Sequence, residues 1–246
     1  MTNPMLKVEL HAHTSDDPVD RIPHDGRALV DAAAAHGYHA IAVTLHDAQF
    51  EVEALAAYAR EHGIVVITGI ERTICGKHVL LLNFPKCAEQ VSHFDDLARL
   101  KQQAPNGLVV APHPLFPFST CLGRRLLDRH ADLIDAVEVN AFYTRWVDFN
   151  RPAVRWARAH GKPMVGNGDI HRLSILGRTY SLVDAEPDAD AIVKAIREGR
   201  VEVCTAPLTS VEAAAYMTRL TISGLRAKLS APVRAAVRQP IGSSSK

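Results

Sequence analysis

Short apolar segments alternate with helical ones along most of the 246-residue chain, and this alternation constrains the fold more than any other feature. Strand candidates fall at residues 6–11, 39–45, 64–70, 107–112, 135–140, 163–167, 179–183 and 201–205. Most are rich in Val and Ile, as strands buried on both faces of a parallel sheet are. Helical stretches at 25–36, 51–62, 150–160 and 188–198 stop before Gly37, Gly63, Gly161 and Gly199. Glycine closes a helix because it turns left-handed without a steric cost. Residues 72–83 break the rhythm, since Gly76-Lys77 between two apolar runs predicts a hairpin. Seven or eight β/α units within about 205 residues put the chain in the α/β class. They favour a closed or nearly closed β/α barrel over an open doubly wound sheet. No G-x-G-x-x-G and no Walker loop supports a nucleotide-cofactor fold.

Composition narrows the class further. Apolar residues make up 47% of the chain, enough to fill one large domain core. The formal net charge of +1 gives no general argument for nucleic-acid or membrane binding. No apolar run approaches the length of a membrane span, and the N-terminus lacks a signal-peptide core. Cys75, Cys87, Cys121 and Cys204 are scattered without a C-x-x-C pair, as expected of reduced thiols in a cytoplasmic protein. The expected division is a barrel over residues 1–207 and a tail over 208–246. Residues 208–229 read as a helix broken or kinked at Gly224. After Glu212 every charge is basic: Arg219, Arg226, Lys228, Arg234, Arg238 and Lys246. Such a tail reads first as a solvated end or a packing helix, with contact to nucleic acid or anionic lipid as the second reading. The Ser243-Ser244-Ser245 ending reads as disordered.

The thirteen histidines are distributed unevenly. His36, His39, His62, His93, His130 and His160 fall on helices or at helix ends, where they need no role beyond packing and capping. The others, His24 excepted, gather at strand ends or in the hairpin. His11-Ala12-His13 closes the first strand, and residues i and i+2 of a strand face the same way. His46 and Asp47 close the second, Glu71 the third, His113 the fourth and Asn140 the fifth. Asp169 and His171 close the sixth, and His78 sits in the hairpin. In a β/α barrel all these ends share one face, where active sites are built. Imidazole and carboxylate without thiolate suit Zn2+, Mn2+ or Fe2+. Counting Asp17, nine candidates exceed what one ion can use, and a carboxylate such as Glu71 can bridge two. Clusters with ions about 3.5–4 Å apart serve the hydrolysis of phosphate esters.

The ordered segments His11-Ala12-His13-Thr14, Ala40-Ile41-Ala42-Val43-Thr44-Leu45-His46, Gly69-Ile70-Glu71, Ala111-Pro112-His113-Pro114 and Gly168-Asp169-Ile170-His171 resemble the motifs of the PHP (polymerase and histidinol phosphatase) superfamily. The resemblance covers residues 6 to about 206. It implies a distorted seven-stranded (β/α) barrel, a di- or trinuclear site of divalent ions, and metal-dependent phosphoesterase activity. By motif position, His11, His13, Glu71 and Asp169 would hold the first metal. Glu71 would bridge to a second held by His78 and His113. His46 and His171 would hold a third, with a ligand from the segment after His13. Asp17 is chosen there over Asp16, and His24 is an outside candidate. The chain departs from the family pattern at Leu45, where an aspartate is usual and would support a ligand histidine.

The expected reaction is attack on phosphorus by a metal-bridging hydroxide, with Asp169 or a nearby histidine (His113 or His171) protonating the leaving oxygen. Arg172 and Arg145 are the favoured phosphate-binding residues, ahead of Arg72, Lys77, Arg124 and Arg125. The loop over residues 112–123 is rich in Pro, Phe and Gly and can form a lid. Expected substrates are small phosphomonoesters or nucleotides, with oligonucleotides a further option. Two rivals differ in class: an amidohydrolase-type C–N hydrolase, usually built on a carboxylated lysine, and a non-catalytic metal-binding module.

Overall fold

The computed structural model describes residues 5–215 and 218. Its strands are β1 (Leu6–Ala12), β2 (Ala40–Val43), β3 (Val65–Ile74), β4 (Lys77–Leu82), β5 (Leu108–Ala111), β6 (Ala136–Asn140), β7 (Met164–Asn167), β8 (Thr179–Val183) and β9 (Val201–Thr205). The helices are α1 (Gly26–Ala35), α2 (Glu53–Glu61), α3 (Phe94–Gln103), α4 (Gly123–Arg129), α5 (Asn150–Ala159) and α6 (Ala189–Arg197). One sheet runs in the order β7-β6-β5-β4-β3-β2-β1-β8-β9. β1, β2 and β3 are parallel, as are β5, β6 and β7. β4 folds back antiparallel between β3 and β5, forming the hairpin expected around Gly76.

The ring closes at the C-terminal ends of the strands. Ile170, just beyond β7, donates its N–H to the His11 carbonyl (2.9 Å), and the His13 N–H donates to the Ile170 carbonyl (3.1 Å). Strands β1 to β7 therefore make a seven-membered circuit. The sheet nevertheless has nine strands, because β8 pairs antiparallel with the start of β1 and β9 with β8. A seven-stranded reading is thus exact for the ring and two short for the sheet. β8 also lies against β7. A Cβ on Gly166 would sit 2.6 Å from the Tyr180 carbonyl oxygen, so only glycine permits this approach.

Alternate residues fill different layers. Val8, Leu10, Ala40, Ala42, Ile67, Leu80, Leu108, Val110 and Val165 form one buried cluster, joined by Ile192, Val193 and Ile196 of α6. Ile41 and Val43 pack instead against Leu29 and Val30 of α1 and Leu55 of α2. Ile70, Val79, Leu81, Val109 and Val137 pack against Leu97, Leu127 and Trp156 of the later helices. Asp25 and Asp188 start α1 and α6 by accepting the N–H groups of Ala28 (2.9 Å) and Ala191 (3.1 Å). Helices α3 and α4 occupy stretches with no helix in the sequence reading. α3 buries Phe94, Leu97 and Leu100 on one face, and Asp96 accepts the N–H groups of Ser92 and His93 at its start.

A last helix occupies residues 210–215. Thr209 Oγ1 accepts the Glu212 N–H (3.2 Å) and Glu212 returns a carboxylate to the Thr209 N–H (2.8 Å), a capping box. The rest of the expected 208–229 helix, Thr218 excepted, and the basic residues from Arg219 to Lys246 lie outside the described residues. Among the described residues no helix is long and apolar enough to cross a membrane.

Candidate metal centre

Six imidazoles converge on Glu71 and Asp169 at the barrel end where the ring closes. Both His11 and His13 project the same way, with ring centroids 5.3 Å apart. Glu71 is the hub. Its Oε2 lies 3.2 Å from His11 Nε2, 3.4 Å from His13 Nε2 and 3.2 Å from His46 Nε2. Its Oε1 lies 2.6 Å from His78 Nδ1 and 3.5 Å from His113 Nε2. Asp169 Oδ1 stands 3.4 Å from His11 Nε2, 3.6 Å from His13 Nε2 and 3.1 Å from His171 Nδ1. Eight of the nine expected ligands therefore share one cluster.

The ninth, Asp17, stands one step further out. Its Oδ2 accepts from His13 Nδ1 (2.9 Å), His46 Nδ1 (2.9 Å) and the His46 N–H (3.0 Å). Its Oδ1 accepts the N–H groups of Val19 and Asp20. With Nδ1 of each ring donating outward, the Nε2 lone pairs of His13 and His46 face Glu71. Asp17 thus supplies His46 with a carboxylate partner, although the preceding position is Leu45, which packs in the outer apolar cluster. Glu138 does the same for His11, accepting its Nδ1–H at 2.8 Å. The same oxygen, Oε2, also accepts from Asn167, and Oε1 accepts from Asn140 and the His113 N–H.

Backbone strain concentrates here. His113 (φ +29°), Asp169 (φ +51°) and Asp47 (φ +56°) all adopt left-handed conformations that ordinary residues avoid. Gly168 precedes Asp169, and a Cβ there would overlap Ile170 and stand 3.1 Å from Glu9 Oε2. Glu9 instead accepts the Gly168 N–H on both oxygens (3.0 and 2.9 Å) and so anchors the turn that carries Asp169.

Charge is tightly coupled across the cluster. Burial opposes ionisation of Glu71, yet His11 and the other imidazoles outweigh it and hold its carboxyl well below the usual range. Asp169 behaves likewise, with His11 and His171 as the main partners. Burial also opposes the imidazolium of His11, but Asp169, Glu138 and Glu71 raise it well above normal. His171 rises to about 10 against its burial, through Asp169 and Asp20. Glu9 lacks comparable cationic compensation, and burial pushes it up to about 8.

The donor set fits divalent cations. Four groups each bring three ligand atoms within 4.8 Å of one another: His11, His13 and Asp169; His11, Glu71 and His113; His46, Glu71 and His78; His13, His46 and His171. His13 Nε2 and Asp169 Oδ1 are buried without a hydrogen-bond partner, as atoms reserved for a ligand are. A cavity of about 170 Å3 opens beside them, lined by His46, Glu71, His78, His113, Asn140, Asp169 and His171 with Phe116, Phe118 and Phe142.

Residues 148–201 match the PHP-associated family, PHP_C. No curated protein matches the sequence. The fold is similar to a two-domain Bacteroides vulgatus protein containing a predicted PHP-like metal-dependent phosphoesterase, with 20% identity and a TM-score of 0.66 over 82% of this chain and 65% of that one. It is also similar to PsfC from Pseudomonas syringae, with 18% identity and a TM-score of 0.61 over 92% of this chain and 99% of that one. A third similar structure is the lesion-specific endonuclease PfuEndoQ of Pyrococcus furiosus, with 16% identity and a TM-score of 0.56 over 87% and 66%. The family match is confined to residues 148–201, and the three structures share with this chain its fold. The chain spans slightly less than two thirds of the Bacteroides protein.

Within this fold the expected residues differ in placement. The cluster gathers His11, His13, His46, Glu71, His78, His113, Asp169 and His171, with Asp17 behind two of them. Arg172 and Arg145 are not among the described residues lining the cavity, and none of those is Lys or Arg. Arg72 is turned to the Asp47 carboxylate and the Val91 carbonyl. Phe116, Phe118 and Thr120 of the 112–123 loop wall the cavity. His24 is buried with both ring nitrogens unpartnered, outside all four donor groups. Glu138 and Asp20, which contacts His171 Nε2 at 3.0 Å, were not anticipated. The signal for Glu138 was a lone carboxylate inside the apolar run Ala136-Val137-Glu138-Val139.

Proposed function

We infer that this chain is a PHP-type metal-dependent phosphoesterase acting on a small phosphomonoester or nucleotide, with oligonucleotides a further substrate. The observation that carries this reading is Glu71 set among five imidazole nitrogens, each within 3.5 Å. Its two oxygens face different histidine sets, as a carboxylate shared between two cations must. His11, His13 and Asp169 would hold one divalent ion, and His78 and His113 another, both sharing Glu71. His13, His46 and His171 form the third donor group, so His13 is shared between the first and third groups. Here Asp17 is a positioning residue for His13 and His46, not a direct ligand. Bound divalent ions supply Lewis acidity and neutralise charge on the phosphoryl oxygens, which suits a cavity whose described walls carry no Lys or Arg.

The side chains provide the proton chemistry. The Asp169 side chain is 25% exposed, whereas that of Glu71 is 2% exposed, so Asp169 is the carboxylate that a substrate or water can reach. Asn140 Nδ2 stands 3.5 Å from Asp169 Oδ2 and orients it. His171 Nε2 is held by Asp20 on the exposed side, and its Nδ1 faces Asp169, so the ring connects cavity and solvent for a proton. His113, expected as a further proton donor, presents Nε2 to Glu71 (3.5 Å) and holds Cys121 Sγ with Nδ1 (3.3 Å), so in this reading it serves as a ligand only. The amidohydrolase-type reading has less support, because the described lining contains no lysine to carboxylate.

Stripping metal with a chelator is expected to abolish hydrolysis of an aryl phosphate, and Mn2+ or Zn2+ to restore it, with an aryl amide untouched. Full turnover by exhaustively stripped protein, or faster amide cleavage, would remove this reading.

A further inference from the structure

The wall of the metal-site cavity continues outward into an aromatic groove. Phe116, Phe118 and Phe142 line both spaces. The groove encloses about 350 Å3, and Trp146, Val147 and Phe149 form its outer side. Small-molecule sites usually measure about 300–1,000 Å3, so the metal-site cavity alone is undersized for more than a phosphoryl group and a short stem. Joined to the groove, it reaches ordinary size.

The groove is built of rings. Phe116 stacks with Phe118 (centroids 6.3 Å apart, planes at 28°) and meets Phe149 at 5.5 Å. It also approaches His113 edge-on at 6.2 Å, joining the groove to the metal cluster. Trp146 is 87% exposed, Phe118 51% and Phe149 37%, an unusual concentration of aromatic surface in water. The indole is presented by an ordered turn. Thr144 Oγ1 accepts the N–H groups of Trp146 (3.3 Å) and Val147 (3.0 Å), and the Thr144 N–H donates to the Val147 carbonyl (2.9 Å). The turn follows Asn140 and Ala141 at the end of β6, so strand geometry fixes its distance from the cluster.

No charged side chain is among the described residues of the groove. An anion therefore has no cationic partner among the described lining, while a flat apolar ring has several aromatic ones. We propose that this groove binds a planar aromatic group of the substrate while its phosphate lies at the metal cluster. The preferred esters are then aryl or nucleoside phosphates over aliphatic ones. This rests on the phosphoesterase reading for the phosphate end only; ring binding stands on the groove itself. Stacking on exposed aromatic side chains accepts any π-face, so a phenyl ring and a nucleobase share the chemistry.

The test uses the full chain and two readouts. Trp146 and Trp156 are the only tryptophans, and Trp156 is 1% exposed. Adenosine, which has no phosphate, is expected to quench the exposed-indole emission saturably, and the Trp146→Phe variant to lose that quench. For the metal-loaded enzyme, Trp146→Ala is expected to raise the KM ratio of phenyl phosphate to glycerol phosphate about tenfold, the order of one lost stacking contact. Running AMP beside phenyl phosphate tells nucleobase from simple aryl ring. No quench by adenosine together with an unchanged KM ratio overturns the proposal. So does Trp146 emission already shielded from iodide, or a dimer that Trp146→Ala dissociates, since the groove would then be covered by protein. If no phosphate ester is turned over, the phosphoesterase reading fails while adenosine quenching still reports on the groove.

Discussion

Glu138 shows how the centre is held one residue behind its ligands. Both oxygens are committed: Oε2 to His11 Nδ1 and Asn167, Oε1 to Asn140 and the His113 N–H. Every neighbour is a donor, so an amide NH2 in place of one oxygen would face a donor. Glu138→Gln keeps shape and burial but forces that mismatch and removes the charge facing His11. Metal affinity measured by competition with a chromophoric chelator is expected to fall about 10–100-fold, the usual cost of losing such a partner. Unchanged affinity in a folded variant would show that His11 needs no carboxylate behind it. The capping histidines make the opposite case. His36, His62, His130 and His160 each end a helix, and His130 and His160 stack on Phe94 and Trp156. Nothing in residue type separates the two populations; only position at a strand end or a helix end does.

At the scale of elements, closure of the ring depends on glycine where strands must touch. Gly166→Ala is expected to destabilise the protein by about 1–3 kcal/mol, because the added carbon meets the Tyr180 carbonyl, part of the backbone, and not a side chain free to swing away. Chemical denaturation would measure it, and a shift within error would mean β7 and β8 are not packed this closely. The parallel strands were legible because burial on both faces leaves continuous Val and Ile runs, as in β2 and β5. The β3–β4 hairpin was legible from Gly76. α3 was not, because its mean composition is polar and only Phe94, Leu97 and Leu100 reach the core. The eight clustered residues were legible because each closes a strand or hairpin that the barrel brings to one end. Asp17 was found but its place was not, since spacing after His13 does not say which side of the ring a carboxylate meets. Asp20 gave no signal at all, sitting in an irregular segment that only tertiary folding carries to His171.

For the whole molecule, protons and metal ions compete for the same charge balance. In the metal-free chain, ionised Glu71 and Asp169 are neutralised by protons on His11, His113 and His171. A metal ligand must be unprotonated, so ion binding displaces these protons and affinity rises with pH. The same shifts act on stability. His171 rises from its ordinary 6.5 to about 10, so between those values the folded chain binds more protons than the unfolded chain. The sign is then negative: its stabilising contribution is complete below pH 6.5 and is lost as pH rises through 10. Glu9 adds to the trend below about pH 8, because burial raises it from 4.5 to about 8 and the folded chain holds the extra proton only between those values. Metal-loaded protein escapes the histidine part of this loss, since the ion replaces the proton. The gap in Tm between Mn2+-loaded and chelator-treated protein is therefore expected to widen from pH 6.5 to pH 9. Calorimetric titration at pH 7.5 in two buffers of different ionisation enthalpy should register proton release on metal binding. A constant Tm gap with no proton release would mean that the imidazoles are already neutral in the metal-free chain, and that the carboxylates of the barrel mouth are balanced in some other way.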